Sequence, residues 1–568
     1  MLARYLPILA WLPHYRPAWL RDDGVAAVSV WALLIPQALA YATIAGVPVQ
    51  YGLYTAFAAL LAYAIFGSSR QVVQGPSATV AAVSTAIITP LVGAAAIGTD
   101  KVVPWAAALA LVAGGVYLLL GVLRMGWVSN FLSRAVLAGF IFGFAIGIVI
   151  DQAPKLLGVP STDGSYVEEL VHMIGELGDV SLTTLVVGAA SLAILLPLRY
   201  LRPRWPRALL VVVLTTGAAS LLDLSDHGVA VTGNVPTGLF SIGVPDVDAG
   251  DLGKLVVGAL AVVFVGFSET LAAGRSMAAK HSYEIRPDQE LIAQGVANGA
   301  SGLVGGFVND GSLSKTSVAD AAGQRTQMAS LLNAGLVLLT MLLLAGLFEQ
   351  LPGAALGAVV IDAMVGLITL ADGRRYYRIN RSDRIVFVAA MVGILFFGII
   401  PGIAIGVALS LLLLVARASN PEVRELGRRP GSDAYLDLSR HDDLTTTPGL
   451  LVVRIDGPLF FANANRFRDR VRELIESASD PVAGLVIDAE AVSQTDTDGA
   501  DVLTELAGEL RPRGISIALA RVESGIADLW RRAGTIEAIG GPERVFPTVK
   551  EAVDWIDAGA SVSGSVEA

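Results

Sequence analysis

The sequence predicts an α-helical membrane protein of many spans, followed by a small α/β domain. Mean hydropathy is +0.63. Charged residues make up only 16% of the 568, against roughly 25% in soluble domains. Apolar runs of about 20 residues, the length that crosses a bilayer as a helix, recur along the chain up to Arg417.

The runs fall at 24–44, 52–66, 77–93, 103–123, 131–150, 181–200, 206–222, 253–275, 287–306, 312–323, 327–348, 353–369, 382–400 and 403–417, fourteen segments in all. Charge supports the count. With fourteen spans both termini lie on one side. If that side is cytoplasmic, its loops hold Arg70, Arg124, Arg134, Arg199, Arg202, Arg204, Arg207, Arg275, Lys280, Arg286, Arg325 and the cluster Arg374, Arg375, Arg378, Arg381 and Arg384. The opposite loops hold only Lys101, Lys155 and Lys254, with acids such as Asp163, Glu168, Asp246 and Asp251. Cations gathered on one side are the positive-inside pattern. It predicts a multi-pass plasma-membrane (inner-membrane) protein with both ends cytoplasmic. No cleavable signal peptide is expected, since no small-residue cleavage site follows a short apolar core near the N-terminus.

Composition then changes. Residues 418–448 are polar and hold Pro421, Pro430, Asp442 and Asp443, which reads as a linker. From 449 to 558 the runs LLVVRI, GLVIDA and ISIALA read as buried strands, with helices near 463–478 and 499–511 between them. The last ten residues, 559–568, are small and polar and read as a disordered tail.

Several chemistries are excluded. The chain has no cysteine, hence no disulfide and no thiolate site, and its five histidines lack metal-ligand spacing. No phosphate-binding glycine loop follows a strand, so no ATP-driven pump and no cofactor is expected. Nothing points to a nucleic-acid partner.

Two polar segments interrupt the apolar pattern in corresponding places of the two halves, GPSAT at 75–79 and NDGSLSKTS at 309–317. Paired interruptions point to an inverted-repeat transporter whose broken helices meet near the membrane midplane. Their N-termini would aim free amides and positive dipole ends at one spot, which suits an anion. Glu269 lies within VVFVGFSETLAAG, inside a span. An acid there is expensive and normally functional or paired, and it is the candidate proton carrier. Asp362, in VVIDAM, is a second intramembrane acid with no broken helix matched to it. Gln37 and Tyr41 lie four residues apart after Pro36, on one helix face, where a neutral amide and a phenol can donate to an oxyanion. Lys315 lies in the second broken segment and either attracts anions or faces the cytoplasm.

Together these residues resemble the SulP family, the sulfate permeases and related anion transporters. The stretch IPQALAYATIAGVPVQYGLYTAFAALLAYAIFGSSR from Ile35 to Arg70 is similar to the family signature, and GPSAT, DQELIAQGVANGASGLVGG and SLSKTS…AGQRTQ continue the match in order. PLFFANANRFRDRV (458–471) resembles the start of a STAS domain. The resemblance implies two inverted repeats of seven segments over residues 1–417. Spans one to four and eight to eleven would form a core domain, and spans five to seven and twelve to fourteen a gate domain. It implies a homodimer with an elevator-like cycle. It places substrate contacts at Gln37, Tyr41, Pro76, Ser77, Ala78, Ser312, Leu313 and Ser314, and makes Glu269 the coupling carboxylate. Sodium-coupled bicarbonate members carry threonine four residues after that acid. Here the position is Ala273, which offers no side-chain oxygen, so a proton is the expected coupling ion. In the loop QTDTDGAD, Thr497 lies where related proteins are phosphorylated, although Asp496 to Asp498 can equally cap the following helix.

The expected function is therefore secondary transport of a small anion with protons, sulfate first, then bicarbonate or a C4-dicarboxylate. The alternatives are an uncoupled anion channel or exchanger, and a nucleobase permease of the same architecture. An enzyme is disfavoured because no nucleophile–base pair is visible.

Overall fold

The structure, a computed structural model, describes residues 5–127, 134–162, 165–202, 205–233, 235, 238–368 and 370–563. The chain forms two compact units, Met1–Ser410 and Leu411–Ala568.

In the first unit, fourteen helices take the places of the fourteen apolar runs: α1 Leu20–Ile44, α2 Gln50–Phe66, α3 Ala78–Val92, α4 Val103–Val122, α5 Arg134–Leu157, α6 Leu182–Leu201, α7 Arg207–Leu221, α8 Ala249–His281, α9 Pro287–Leu303, α10 Leu313–Ala321, α11 Met328–Leu339, α12 Gly353–Leu367, α13 Arg381–Phe397 and α14 Ile399–Ala418, which crosses the division into the second unit. Among the described residues, 7 of the helical stretches are long and apolar enough to cross a membrane by length and composition. The shortest, α10, has 9 residues. It does not span alone, because the chain leading into it is extended.

Packing sorts the helices into two sets. α9 packs on α4 and α2, α8 on α4 and α3, α11 on α1 and α2, and α10 on α1. In the other set α5 packs on α13, α12 and α6, and α6 on α7. The sets meet chiefly where α1 lies against α7 and α12. This is the core and gate division that the resemblance implied. Small residues allow the closest approach. A Cβ on Gly114 of α4 would stand 2.8 Å from the Gly295 carbonyl of α9, so the two backbones touch in the manner of close-packed membrane helices.

The two halves join through a two-residue ribbon. β1 (Gln74–Gly75) precedes α3, and β2 (Asp310–Gly311) precedes α10. They pair antiparallel, Gln74 with Gly311 and Gly75 with Asp310. Equivalent segments of two seven-helix halves thus meet head to head, as an inverted repeat requires.

The second unit contains a six-stranded sheet in the order β4-β3-β5-β6-β7-β8, formed by β3 Glu422–Arg428, β4 Tyr435–Asp437, β5 Leu450–Asp456, β6 Gly484–Asp488, β7 Ser516–Ala520 and β8 Val545–Phe546. β5 to β8 are parallel, and β3 is antiparallel to both neighbours. Alternate strand residues bury opposite faces. Val453, Leu485 and Ile517 pack with Phe467 and Val471 of α15 (Ala464–Ser477) and Leu503 and Leu506 of α16 (Thr497–Leu510). Val452, Val486 and Ala518 pack with Val549, Ala552 and Ile556 of the C-terminal helix Val549–Ser563.

Two sequence expectations fail here. The polar stretch 418–448 is not a linker: it supplies β3 and β4, with Leu426 and Tyr435 buried. Edge strands with one solvated face alternate too weakly to stand out among prolines and charges. The tail does not begin at 559, because the last helix continues to Ser563. Residues 564–568 lie outside those described, as do positions 131–133 of the fifth apolar run and the loop positions Asp163 and Arg204.

Candidate functional site: two facing helix N-termini

Extended backbone inside a membrane must have its polar groups bonded by protein. At the β1–β2 ribbon those bonds come from polar side chains of α8 to α10. Gln74 donates through Nε2 to Gln294 Oε1 and to Asn309 Oδ1, both at 2.8 Å. Asn298 accepts from the Asn309 amide at 2.9 Å and donates to its carbonyl at 3.0 Å. The Gly311 amide donates to Thr270 Oγ1 at 2.7 Å, and the Val73 amide to Thr316 Oγ1 at 3.0 Å. Gly311 must be glycine: a Cβ there would lie 2.8 Å from the Thr270 methyl.

The ribbon hands over directly to two helix starts. Ser77 is the N-cap of α3 and Ser312 that of α10. Both are extended, and neither side chain caps its own helix. The first-turn amides of α3 and α10 therefore lack the usual serine acceptor. Pro76, Ser77 and Ala78 are buried, whereas Leu313 is 48% exposed and Ser314 is exposed beside it. Ser312 Oγ and Ser314 Oγ bond one another at 3.0 Å. Ser317 and Ala321 continue the exposed stripe along α10. Gln37 and Tyr41 of α1 are both buried, and Gln37 Oε1 has no partner, nor has Ser77 Oγ.

Between these starts lies a charged cluster. Glu269 of α8 accepts a 2.8 Å hydrogen bond from Thr79 Oγ1 of α3. Asp310 of β2 is fully buried beside it, with Glu269, Ser77 and Lys315 as polar neighbours. Lys315 of α10 is also fully buried and donates through Nζ to the Pro76 carbonyl. It neither faces the cytoplasm nor stands free. Its ammonium ties the start of α10 to the start of α3 and balances one of two acids. Sequence reasoning missed Asp310, Thr79 and Thr270. Asp310 could be read as an acid within NDGSLSKTS, but nothing local says that it meets Glu269. Glu269 is thus not a lone carboxylate. The position four residues on, Ala273, packs instead with Tyr63, Val72 and Ala293.

Asp362 has a different role. It accepts from Arg199 Nε of α6 and Arg207 Nε of α7, each at 3.0 Å, and ties α12 to both. It forms an ion cluster within the gate set, and Tyr41 lies within electrostatic reach of both this cluster and the Glu269–Asp310 pair. A cavity of about 860 Å³ at the far end of α1, lined among others by Thr43, Gln50, Asp100, Lys155 and Thr232, includes none of the expected substrate residues. In the second unit Thr497 is exposed in the first turn of α16, and Asp496 caps that helix by accepting from the Gly499 amide at 2.9 Å.

A helical bundle with two uncapped helix starts, an extended ribbon and buried counter-charges is the build of a membrane transporter for anions. Residues 20–390 match the model of the sulfate permease family, and residues 443–552 that of the STAS domain. This chain belongs to the sulfate permease family and carries a C-terminal STAS domain. It is 35% identical to a probable sulfate transporter of Mycobacterium tuberculosis over 97% of this chain and 98% of that one. It is 31% identical to probable sulfate transporter 3.3 of Arabidopsis thaliana over 97% and 90%. The murine solute carrier 26 family member A9 anion transporter, solved in the inward-facing state, superposes with a TM-score of 0.90 at 26% identity, covering 98% of this chain and 94% of that one.

Proposed function

We propose that this protein is a secondary transporter that carries a small anion, sulfate first and then bicarbonate or a C4-dicarboxylate, together with protons. The observation that carries the reading is the pair of uncapped N-termini of α3 and α10, facing each other with Glu269 between them. Backbone amides and helix dipoles hold an oxyanion without a permanent full charge, so the anion can also leave. Gln37 and Tyr41 complete the site from α1, and Pro76, Ser77, Ala78, Ser312, Leu313 and Ser314 supply its two edges. Sulfate leads because the named relatives are sulfate transporters. A proton is favoured over sodium because Ala273 supplies no oxygen and the ammonium of Lys315 already holds the cation-accepting carbonyl of Pro76.

Ser314, Ser317 and Ala321 form an exposed stripe along α10, and an inward-facing state would use it as the approach to the site. The core set would then slide against the gate set in an elevator-like cycle, within a homodimer of the plasma membrane with both termini and the STAS domain in the cytoplasm.

The test is uptake into proteoliposomes. Labelled sulfate, bicarbonate and succinate are offered with an inward proton gradient, an inward sodium gradient, or neither. Uphill uptake of one anion with protons alone is expected. Uptake that only equilibrates means a channel or exchanger, and uphill uptake that needs sodium removes the proton.

A further inference from the structure

Among the described residues, the fully buried acids other than Asp310 are satisfied. Glu290 accepts from Tyr63 Oη at 2.6 Å and from the amide and hydroxyl of Ser68 at 2.8 and 2.6 Å. Asp23 accepts from the Arg325 amide, the Thr326 amide and Thr326 Oγ1. Asp488 holds Arg454 and Arg521. Asp310 differs: it is 0% exposed, no hydrogen bond of good geometry from a described residue reaches either carboxyl oxygen, and its nearest polar partners are the Glu269 carboxyl and the Ser77 hydroxyl. A buried carboxylate without donors is costly.

Its position explains what could satisfy it. Asp310 lies across α8: a Cβ on Gly266 would stand 3.3 Å from Asp310 Cβ, and the next residue, Gly311, donates to Thr270. Gly266, Glu269 and Thr270 share one helix face by their spacing. Asp310 therefore sits over the face that presents Glu269. The titratable and charged groups around it are Glu269 from α8, Lys315 from α10, and the phenols of Tyr117 from α4 and Tyr41 from α1. From α3 come only the hydroxyls of Ser77 and Thr79. Two carboxyl groups share one ammonium. With both ionised the cluster is net negative and repels an anion held at the same helix starts. One proton makes it neutral, and a second makes it positive. Moreover, a hydrogen bond between two carboxyl groups exists only when one of them carries a proton.

We propose that Asp310 is a second proton-carrying residue, so that the Glu269–Asp310 pair, balanced by Lys315, moves two protons with each anion. Each carboxylate takes one proton from water on the side of entry, the anion binds to the resulting cationic cluster, and both protons return to water when the anion leaves. The inference rests on the proton-coupled reading above and extends it from one carrier to two.

The test is coupling stoichiometry. Proteoliposomes with equal potassium on both sides and valinomycin have no membrane potential, so the accumulation ratio of labelled sulfate reports protons alone. Each coupled proton contributes about a tenfold ratio per pH unit of gradient. The wild type is expected to give about a hundredfold per unit, and Asp310→Asn about tenfold. Asp310→Thr is measured in parallel, so that poor folding of one variant leaves the other. A wild-type slope of about tenfold, or a hundredfold slope kept by either variant, overturns the two-carrier proposal while leaving Glu269 coupling intact. A wild type that ignores the gradient overturns the proton-coupled reading itself. A slope that steepens with added inward sodium assigns the acid pair to a metal cation instead of the second proton, and also overturns the proposal.

Discussion

At the scale of single residues, the site depends on a few polar groups in an apolar bundle. Glu269 has one hydroxyl donor, Thr79, and one acidic neighbour, Asp310. Glu269→Gln keeps the shape and a hydrogen-bonding oxygen but cannot release a proton. Its uptake is expected to fall to simple equilibration, while the concentration of sulfate that half-saturates binding changes by less than about tenfold, the effect of a hydrogen bond of about 1 kcal/mol. Uphill accumulation by the variant, measured beside the wild type, would remove Glu269 from the coupling step. Glu269, Gln37 and Tyr41 were legible in the sequence because a polar residue in an apolar span is conspicuous. Asp310 was not. It lies in a stretch already full of polar residues, and its partner is fixed by a ribbon between positions far apart in the chain.

At the scale of elements, the proposal makes the broken helices the working parts. Their starts were legible from the matched polar interruptions, since extended chain inside a bilayer needs polar side chains to satisfy it. The β1–β2 pairing and the Gln74, Asn298 and Asn309 bonds supply that satisfaction. Bulk at either helix start should bar an anion from the amides. Ala78→Leu and Ser314→Leu are each expected to abolish sulfate uptake, with the folded, membrane-inserted fraction unchanged by size-exclusion profile. Ala78 is buried and Ser314 is exposed, so the second variant is the one whose folding is least at risk. Normal uptake by Ser314→Leu would move the anion away from α10. The ion cluster of Asp362 was not legible, because Arg199 and Arg207 read as loop cations, and only the packing of α6, α7 and α12 brings them to it.

At the scale of the whole molecule, the chain forms two compact units. The fourteen segments and the parallel α/β pattern were both legible, because hydropathy and charge asymmetry speak over long stretches. The start of the second sheet was not, for β3 and β4 lie in a polar, proline-bearing stretch. This changes what a soluble STAS fragment needs. Residues 446–560 lack both strands, and with them the buried Leu426 and Tyr435 and the pairing of Arg424 with Asp437 at 2.5 Å. Residues 420–563 are expected to be the more stable fragment, because they keep the two edge strands, their ladder hydrogen bonds and the buried Leu426 and Tyr435. Urea unfolding of both fragments checks this, and equal midpoints and slopes would mean that the edge strands add nothing.

The anion's location decides most. A structure of the full-length protein in lipid, determined with selenate as an electron-rich stand-in for sulfate, should show density within hydrogen-bonding distance of the first-turn amides of α3 and α10, near Ala78 and Ser314 and close to Glu269. Density instead in the cavity beside Lys155, with none between the two helix starts, would contradict it.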